Sequence, residues 1–443
     1  MKYQEILQDS EFKVYYTQSG QILKIANDKN LLFQDKMEKE ELVNIESEQF
    51  VKTNKLSKLA ILLNNSCNLR CRYCYMDYGN ILGSSVPISI DLNSLQIAIE
   101  NIYRIYDEGI EYVQFFGGEP LLDFKKLESI LNMIRELCKE RHLNCPNYGI
   151  VTNGISLTED MVQVINENNV SVTISIDGPQ EIHDAVRINV SGHGSFARVR
   201  NVVEQYQHKM RNPIIYEMTI NKEHTKHYKS GIVKEWMGGL KDIGLQVGII
   251  CLVENSRDAS LNITEREIPI VENIYQEIVD YFIDELLSEK EDIMVNTYII
   301  EIIKNISNKQ FQHRTCGAGF SQLAFTADGN VAPCTYMLDE SYRLGDFSDK
   351  IWKSEKVSHL VKSEFRSKCK ECWATKICSN FCYIREENIK YQGREISSKC
   401  LANLLLIKQV LKRIVLIQKE GNISRINAGI QKCNKILSRY NVK

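Results

Sequence analysis

The sequence predicts an α/β protein whose larger part is a partial, TIM-like (β/α)6 barrel, with a cysteine-rich segment and helices behind it. Three observations lead there. Short apolar runs alternate with helix-length stretches from about residue 58 onward. Turn signals such as Gly-Gly and Asn-Gly close several of the runs. Most of the 14 cysteines gather in two groups, one just after the first run and one toward the C-terminus.

Residues 1–55 read as a small strand-and-helix segment, in which FKVYYTQSGQILKIA is a hairpin about Ser19-Gly20 and a charged helix follows. Over 56–255 six apolar runs read as strands: KLAILLN, YVQFFGG, YGIVTNG, VSVTISIDG, IIYEMTI and LQVGIICL. Stretches such as LNSLQIAIENIYRIYDEG and KLESILNMIRELCKE read as the helices between them. This alternation implies a parallel sheet curved toward a barrel, with its chemistry at the C-terminal ends of the strands. Residues 256–310 form a helical bridge, 311–402 a cysteine-rich segment of short elements, and 403–443 one or two amphipathic helices.

Lys+Arg is 55 and Asp+Glu is 57, a net charge of -2. That balance excludes an electrostatic case for nucleic acid or an anionic membrane. No apolar run is long enough to span a bilayer, and MKYQEILQDSEFK lacks an apolar signal core. A soluble cytoplasmic protein is the expectation. In a reduced compartment clustered cysteines serve as metal ligands more often than as disulfides.

The first cysteine group is CNLRCRYCY, residues 67–75, on the loop after the first strand. Cys67, Cys71 and Cys74 have the spacing C-x3-C-x2-C. Three thiolates on one tight loop can hold three irons of a 4Fe–4S cube and leave the fourth open to a chelating small molecule. A structural zinc site would need a fourth close Cys or His, and none lies nearby. This stretch resembles the radical S-adenosylmethionine (SAM) superfamily. The resemblance implies that the open iron binds the amino and carboxylate groups of SAM. Reductive cleavage then gives a 5′-deoxyadenosyl radical that takes hydrogen from a substrate.

The resemblance extends to later strand ends. Gly117-Gly118-Glu119 ends the second strand, where a SAM amino group is contacted in the family, and glycines let a backbone approach a ligand closely. Asn153 ends the third strand, and Ser175 and Asp177 end the fourth, at positions that hold the SAM ribose or carboxylate. Tyr75 matches the aromatic beside the cluster. Arg187, in HDAVR, is a candidate for a carboxylate of SAM or substrate, or else a surface ion-pair partner. For acid–base work only Glu217, His183 and Asp184 present themselves.

The second group is Cys316, Cys334, Cys369, Cys372, Cys378, Cys382 and Cys400. By spacing alone a pair of zinc sites is an alternative. The pattern is similar to the SPASM domain found on radical SAM enzymes that modify peptides. That likeness implies two auxiliary 4Fe–4S clusters, and so three clusters in all. Cys369, Cys372, Cys378 and Cys400 would ligate the outer one, and Cys316, Cys334 and Cys382 the inner one. The inner cluster then has either an open iron or Cys251 as its fourth ligand. Cys138, Cys145 and Cys433 read as small buried apolar residues.

The implied activity is maturation of a ribosomal precursor peptide by a thioether or carbon–carbon crosslink, with an electron donor such as flavodoxin or ferredoxin. Anaerobic sulfatase maturation to formylglycine is the first alternative, and peptide epimerisation another. In sulfatase maturases an Asp usually follows the second SPASM cysteine as base; here Thr335 follows Cys334, and a hydroxyl is a poor base at neutral pH. The hairpin at 12–26 either offers a strand edge to a leader peptide or caps the barrel. The non-enzyme alternative is an iron–sulfur electron carrier, which would not need the strand-end residues.

Overall fold

The structure, a computed structural model, describes residues 3–8, 12–26, 54–82, 86–254, 256, 258–307, 317–353, 372–378 and 389–440. The chain begins with β1 (Tyr3–Gln8), β2 (Phe12–Thr17) and β3 (Ile22–Ala26), an antiparallel sheet in that order. The expected hairpin joins β2 to β3, and β1 adds a strand that the sequence reading did not foresee. Tyr16 packs edge-on against Trp373, and the Lys376 ammonium donates to the Ser19 carbonyl at 2.7 Å. The layer is therefore fastened to the cysteine-rich segment. The charged helix expected after it falls outside the described residues.

The six expected parallel strands are all present: β4 (Lys58–Leu62), β5 (Tyr112–Phe116), β6 (Asn147–Thr152), β7 (Val170–Ser175), β8 (Ile215–Ile220) and β9 (Val247–Leu252). Each pairs with the next in parallel register. Their apolar runs are nearly continuous because helices cover the outer face while the inner face looks into the barrel. The helix α1 (Leu92–Ile105) is capped by Asp91, whose carboxylate accepts from the Ser94 N–H at 2.8 Å. The following helix α2 (Phe124–Glu140) buries Leu127, Ile130, Leu131 and Ile134 at helical spacing.

The sheet is longer than the sequence reading foresaw. After the buried helix α3 (Ile268–Leu287), β10 (Val295–Asn296) joins β9 in parallel. At the other edge β11 (Gln322–Phe325) joins β4 in parallel, and β12 (Asn330–Ala332) and β13 (Gly345–Asp346) continue it antiparallel. Strands this short carry too little alternation to be read locally. The cysteine-rich segment thus shares its sheet with the barrel. Two further helices matter for the site: α4 (Thr297–Ser307) follows β10, and α5 (Ser398–Lys419) runs along α3 with Leu401, Leu405, Val410 and Leu411 buried. Among the described residues no helix is long and apolar enough to cross a membrane.

Most apolar side chains form one core between sheet and helices. A smaller cluster, with Ala60, Leu62, Ala324 and Ala332, lies against Cys74. The end of the barrel beside the cysteine loop is left unfilled.

Candidate active site

That unfilled end is an open cavity of about 310 Å³. Cys67, Cys71 and Cys74 all line it, together with Tyr75, Gly117, Gly118, Glu119, Asn153, Ser175, Arg187 and Glu217. The turn between the second and third cysteines is closed by Cys74 N–H to Cys71 O at 3.0 Å. Burial pushes the Cys67 thiol up to about 11 and the Cys71 thiol up to about 12. Holding three thiolates here therefore calls for a cationic centre among them. Three soft sulfur donors on one loop fit an iron–sulfur cluster, whose iron ligates as thiolate rather than thiol. Among the described residues no three His, Cys, Asp or Glu side chains converge as a single metal ion would need.

The two glycines do a job that the sequence reading assigned elsewhere. A Cβ on Gly117 would lie 2.7 Å from the Asn64 carbonyl oxygen, and one on Gly118 2.2 Å from that of Ser66. The close approach they permit is to the backbone entering the cysteine loop. Gly118 N–H donates to Asn64 O at 2.9 Å and Glu119 N–H to Ser66 O at 2.7 Å. The Glu119 side chain turns inward, 1% exposed. It accepts from the Thr152 hydroxyl at 2.5 Å, Asn153 N–H at 2.8 Å and Leu121 N–H at 3.0 Å. It locks the ends of β5 and β6 together. Asn153 in turn donates to Asn68 Oδ1 at 2.8 Å, inside the cysteine loop.

Asp177 stands apart from the other strand-end residues. It is fully buried and does not line the cavity. Its carboxylate pairs with Arg187 Nε at 2.9 Å, accepts from Thr219 N–H at 2.9 Å and from the Tyr73 hydroxyl. Burial alone would raise its pKa, but Arg187 beside it, with His183 and the two hydrogen-bond donors, holds it below the usual carboxylate range. Asp177 therefore positions Arg187. Arg187 is no surface partner: it is 8% exposed, stacks 5.2 Å over the Tyr73 ring, and reaches Cys71 Sγ at 3.8 Å.

Neither His183 nor Asp184 lines the cavity. His183 Nδ1 accepts from Asp177 N–H at 3.2 Å, and its Nε2 lies 2.9 Å from Ser195 Oγ. Asp184 accepts from Phe196 N–H at 2.8 Å. Both instead bond to the segment at Ser195 and Phe196. Cys145, expected to be buried, is exposed. The sequence reading missed Tyr73, Thr219, Tyr298, Tyr336 and Lys399. Tyr73 sat unread between two ligands, and the last three come from segments with no local signal.

Burial pushes His183 and also His224 down to about 4. The neutral folded histidines contribute stability above the unfolded value near 6.5, and that contribution is lost as pH falls toward 4. Each should cost about 2 kcal/mol between pH 7 and pH 5. Urea unfolding of the metal-free protein across that range tests it, and His183→Gln should flatten the slope.

A family model described as the radical SAM superfamily matches residues 61–230, and one described as an iron–sulfur cluster-binding domain, SPASM, matches 316–373. The chain is a radical SAM enzyme with a SPASM domain. It is 26% identical over 351 residues to a cysteine-type anaerobic sulfatase-maturating enzyme of Clostridium novyi, covering 75% of this chain and 89% of that protein. It is 24% identical over 412 residues to the radical SAM cyclopropyl synthase TigE of Paramaledivibacter caminithermalis, covering 88% and 78%. The solved structure of native anSMEcpe with bound AdoMet and Cp18Cys peptide shares the fold, with a TM-score of 0.65, 18% identity, and 83% and 99% of the two chains covered.

The enzyme's iron–sulfur and SAM chemistry thus meets a site with matching residues. In the SPASM region, Cys334 is buried after β12. Cys372 and Cys378 flank a turn closed by Cys378 N–H to Ala374 O at 2.8 Å. Asn403 of α5 donates to Cys378 Sγ at 3.9 Å, which sets Cys378 beside the first turn of α5, where Cys400 lies. Cys316, Cys369 and Cys382 fall outside the described residues.

Proposed function

We propose that this radical SAM enzyme matures a ribosomal precursor peptide by forming a thioether or carbon–carbon crosslink. One observation carries the reading. A single open cavity is lined both by the cysteine loop of the barrel and by Tyr336 and Lys399 of the SPASM region. Tyr75 and Tyr336 stand 39% and 40% exposed with ring centroids 5.5 Å apart. The two touching rings form one exposed aromatic surface on which a peptide can pack while one residue reaches inward.

When bound, the cluster and SAM supply a carbon-centred radical able to take a hydrogen atom from an unactivated carbon. The chain's own groups do the rest. Arg187, fixed by Asp177 and Tyr73, offers its guanidinium to a carboxylate in the cavity. Glu119 keeps β5, β6 and the cysteine loop in register. Glu217, whose pKa burial raises, stands in the cavity wall. The apolar walls Phe116, Ile250 and Leu406 exclude water from the reacting carbon.

The sulfatase-maturase relatives make formylglycine the second reading. Against it stands Thr335, next to buried Cys334, where a carboxylate base would be expected. Anaerobic co-expression with a short peptide encoded beside the gene separates the two. Loss of two hydrogens per site is the expected result, with lost thiol alkylation for a thioether and thiols still reactive for a carbon–carbon bond. Replacement of a cysteine sulfur by an aldehyde oxygen in a sulfatase-derived peptide would instead establish the second reading.

For leader recognition the proposed surface is the edge of β3, which among the described residues pairs with β2. In the same experiment Lys24→Pro should cut modification at least about tenfold without lowering SAM cleavage. Unchanged modification would leave the strand layer a cap.

A further inference from the structure

Cys251 takes part in none of the steps above. It ends β9 with its side chain inside the barrel and lines the same cavity as Cys67, Cys71 and Arg187. Its thiol donates to Glu217 Oε1 at 3.8 Å. Burial, with Glu217 next in weight, pushes its pKa far above the ordinary thiol value, so the sulfur keeps its hydrogen. A neutral thiol is a weak nucleophile and a weak metal ligand. It is, however, an efficient hydrogen-atom donor to carbon, because S–H is weaker than most C–H bonds.

The surroundings suit that use. Tyr298 of α4 lines the cavity on one side and, on the other, a small recess that contains Cys378, a SPASM cysteine. Asn403 lines both and donates to Cys378 Sγ. Cys251 and Tyr298 thus share the cavity wall, and a candidate cluster ligand lines the adjoining recess.

We infer that Cys251 delivers a hydrogen atom to carbon radicals formed in this cavity, giving the enzyme a redox-neutral outcome beside crosslinking. At a peptide α-carbon, delivery on the face opposite to abstraction inverts the residue. The carbon radical gains the hydrogen atom of the S–H bond, and Cys251 becomes a thiyl radical. One electron from a reduced auxiliary iron–sulfur cluster and one proton from solvent, relayed by the Glu217 carboxylate that Cys251 contacts, restore the thiol. The inversion of a residue rests on the peptide reading; the donor role needs only a carbon radical in the cavity.

The test uses the reconstituted holoenzyme with dithionite, SAM and D2O alone. The thiol exchanges to S–D, and 5′-deoxyadenosine released without a substrate should carry solvent deuterium. Cys251→Ala should lower the deuterated fraction at least about fivefold while total 5′-deoxyadenosine stays within about threefold. Iron content and the cluster EPR spectrum should be unchanged in Cys251→Ala and Cys251→Ser. An unaltered deuterated fraction overturns the inference and leaves the peptide reading standing. Loss of iron in both variants overturns it in favour of a ligand role. Failure of the wild type to make 5′-deoxyadenosine from SAM overturns both readings.

Discussion

Gly118→Ala is expected to lower SAM cleavage at least about a hundredfold, because a displacement of about 1 Å in a reacting constellation costs that much. The added methyl would lie 2.2 Å from the Ser66 oxygen, 2.4 Å from its carbonyl carbon and 2.9 Å from its nitrogen. All three are backbone atoms, so no side chain can swing aside. The strand end or the entry to the cysteine loop must move, and Cys67 follows Ser66 directly. Overpacking of this kind also costs about 1–3 kcal/mol of stability. Gly239→Ala is the control. Nothing lies within 4 Å of its added Cβ, in the helical stretch Ile232–Asp242, and alanine there should stabilise by about 0.5–1 kcal/mol. Iron content, SAM cleavage and urea unfolding of both variants decide the matter. A Gly118→Ala enzyme with full iron and near-normal cleavage would show that the loop adapts.

The second large effect is expected at Arg187. Arg187→Met keeps the apolar stem but leaves the Asp177 carboxylate, 0% exposed, without its ion-pair partner. Stranding a buried charge should cost about 3–5 kcal/mol. The pH dependence of this pair should then reverse. In the wild type the Asp177 pKa is held low, so its stabilisation is present at neutral pH and is lost only as pH falls below the ordinary aspartate range. In the variant burial raises the Asp177 pKa, and its share of stability is present at acid pH and lost as pH rises. Adding Asp177→Asn should recover more than half of the loss. Urea unfolding of the two variants and the wild type at several pH values measures all of this. A cost below about 1 kcal/mol, or no recovery in the double variant, would show that the pair contributes little.

Much of the site was legible before any tertiary contact was known. The triplet Cys67, Cys71 and Cys74 is a local pattern, since three ligands on one loop need only a few residues of chain. The placement of Gly117, Asn153 and Ser175 at strand ends followed from the βα rhythm, which is also local. Their role was less legible. Gly117 and Gly118 clear space for a neighbouring backbone, and Glu119 and Asp177 are consumed by internal hydrogen bonds. A carboxylate at a strand end looks the same in sequence whether it faces the barrel mouth or turns inward. His183 and Asp184 lie within the helix Gln180–Val186, and a helix so short does not show in sequence which of its sides meets the cavity.

The sequence by itself determined the parallel barrel, the cluster loop and the SPASM cysteines, because periodicity and ligand spacing are set by covalent neighbours. Only the tertiary structure decided that β10 and β11 extend the barrel sheet, that Arg187 is a buried cation tied to Asp177, and that Tyr298, Tyr336 and Lys399 complete a cavity begun by Cys67. Those three residues are remote along the chain from the loop they face. They meet it because the short strands and the long helix α5 gain from burying apolar surface against the barrel, and that gain depends on the packed shape of the whole rather than on any local run of residues.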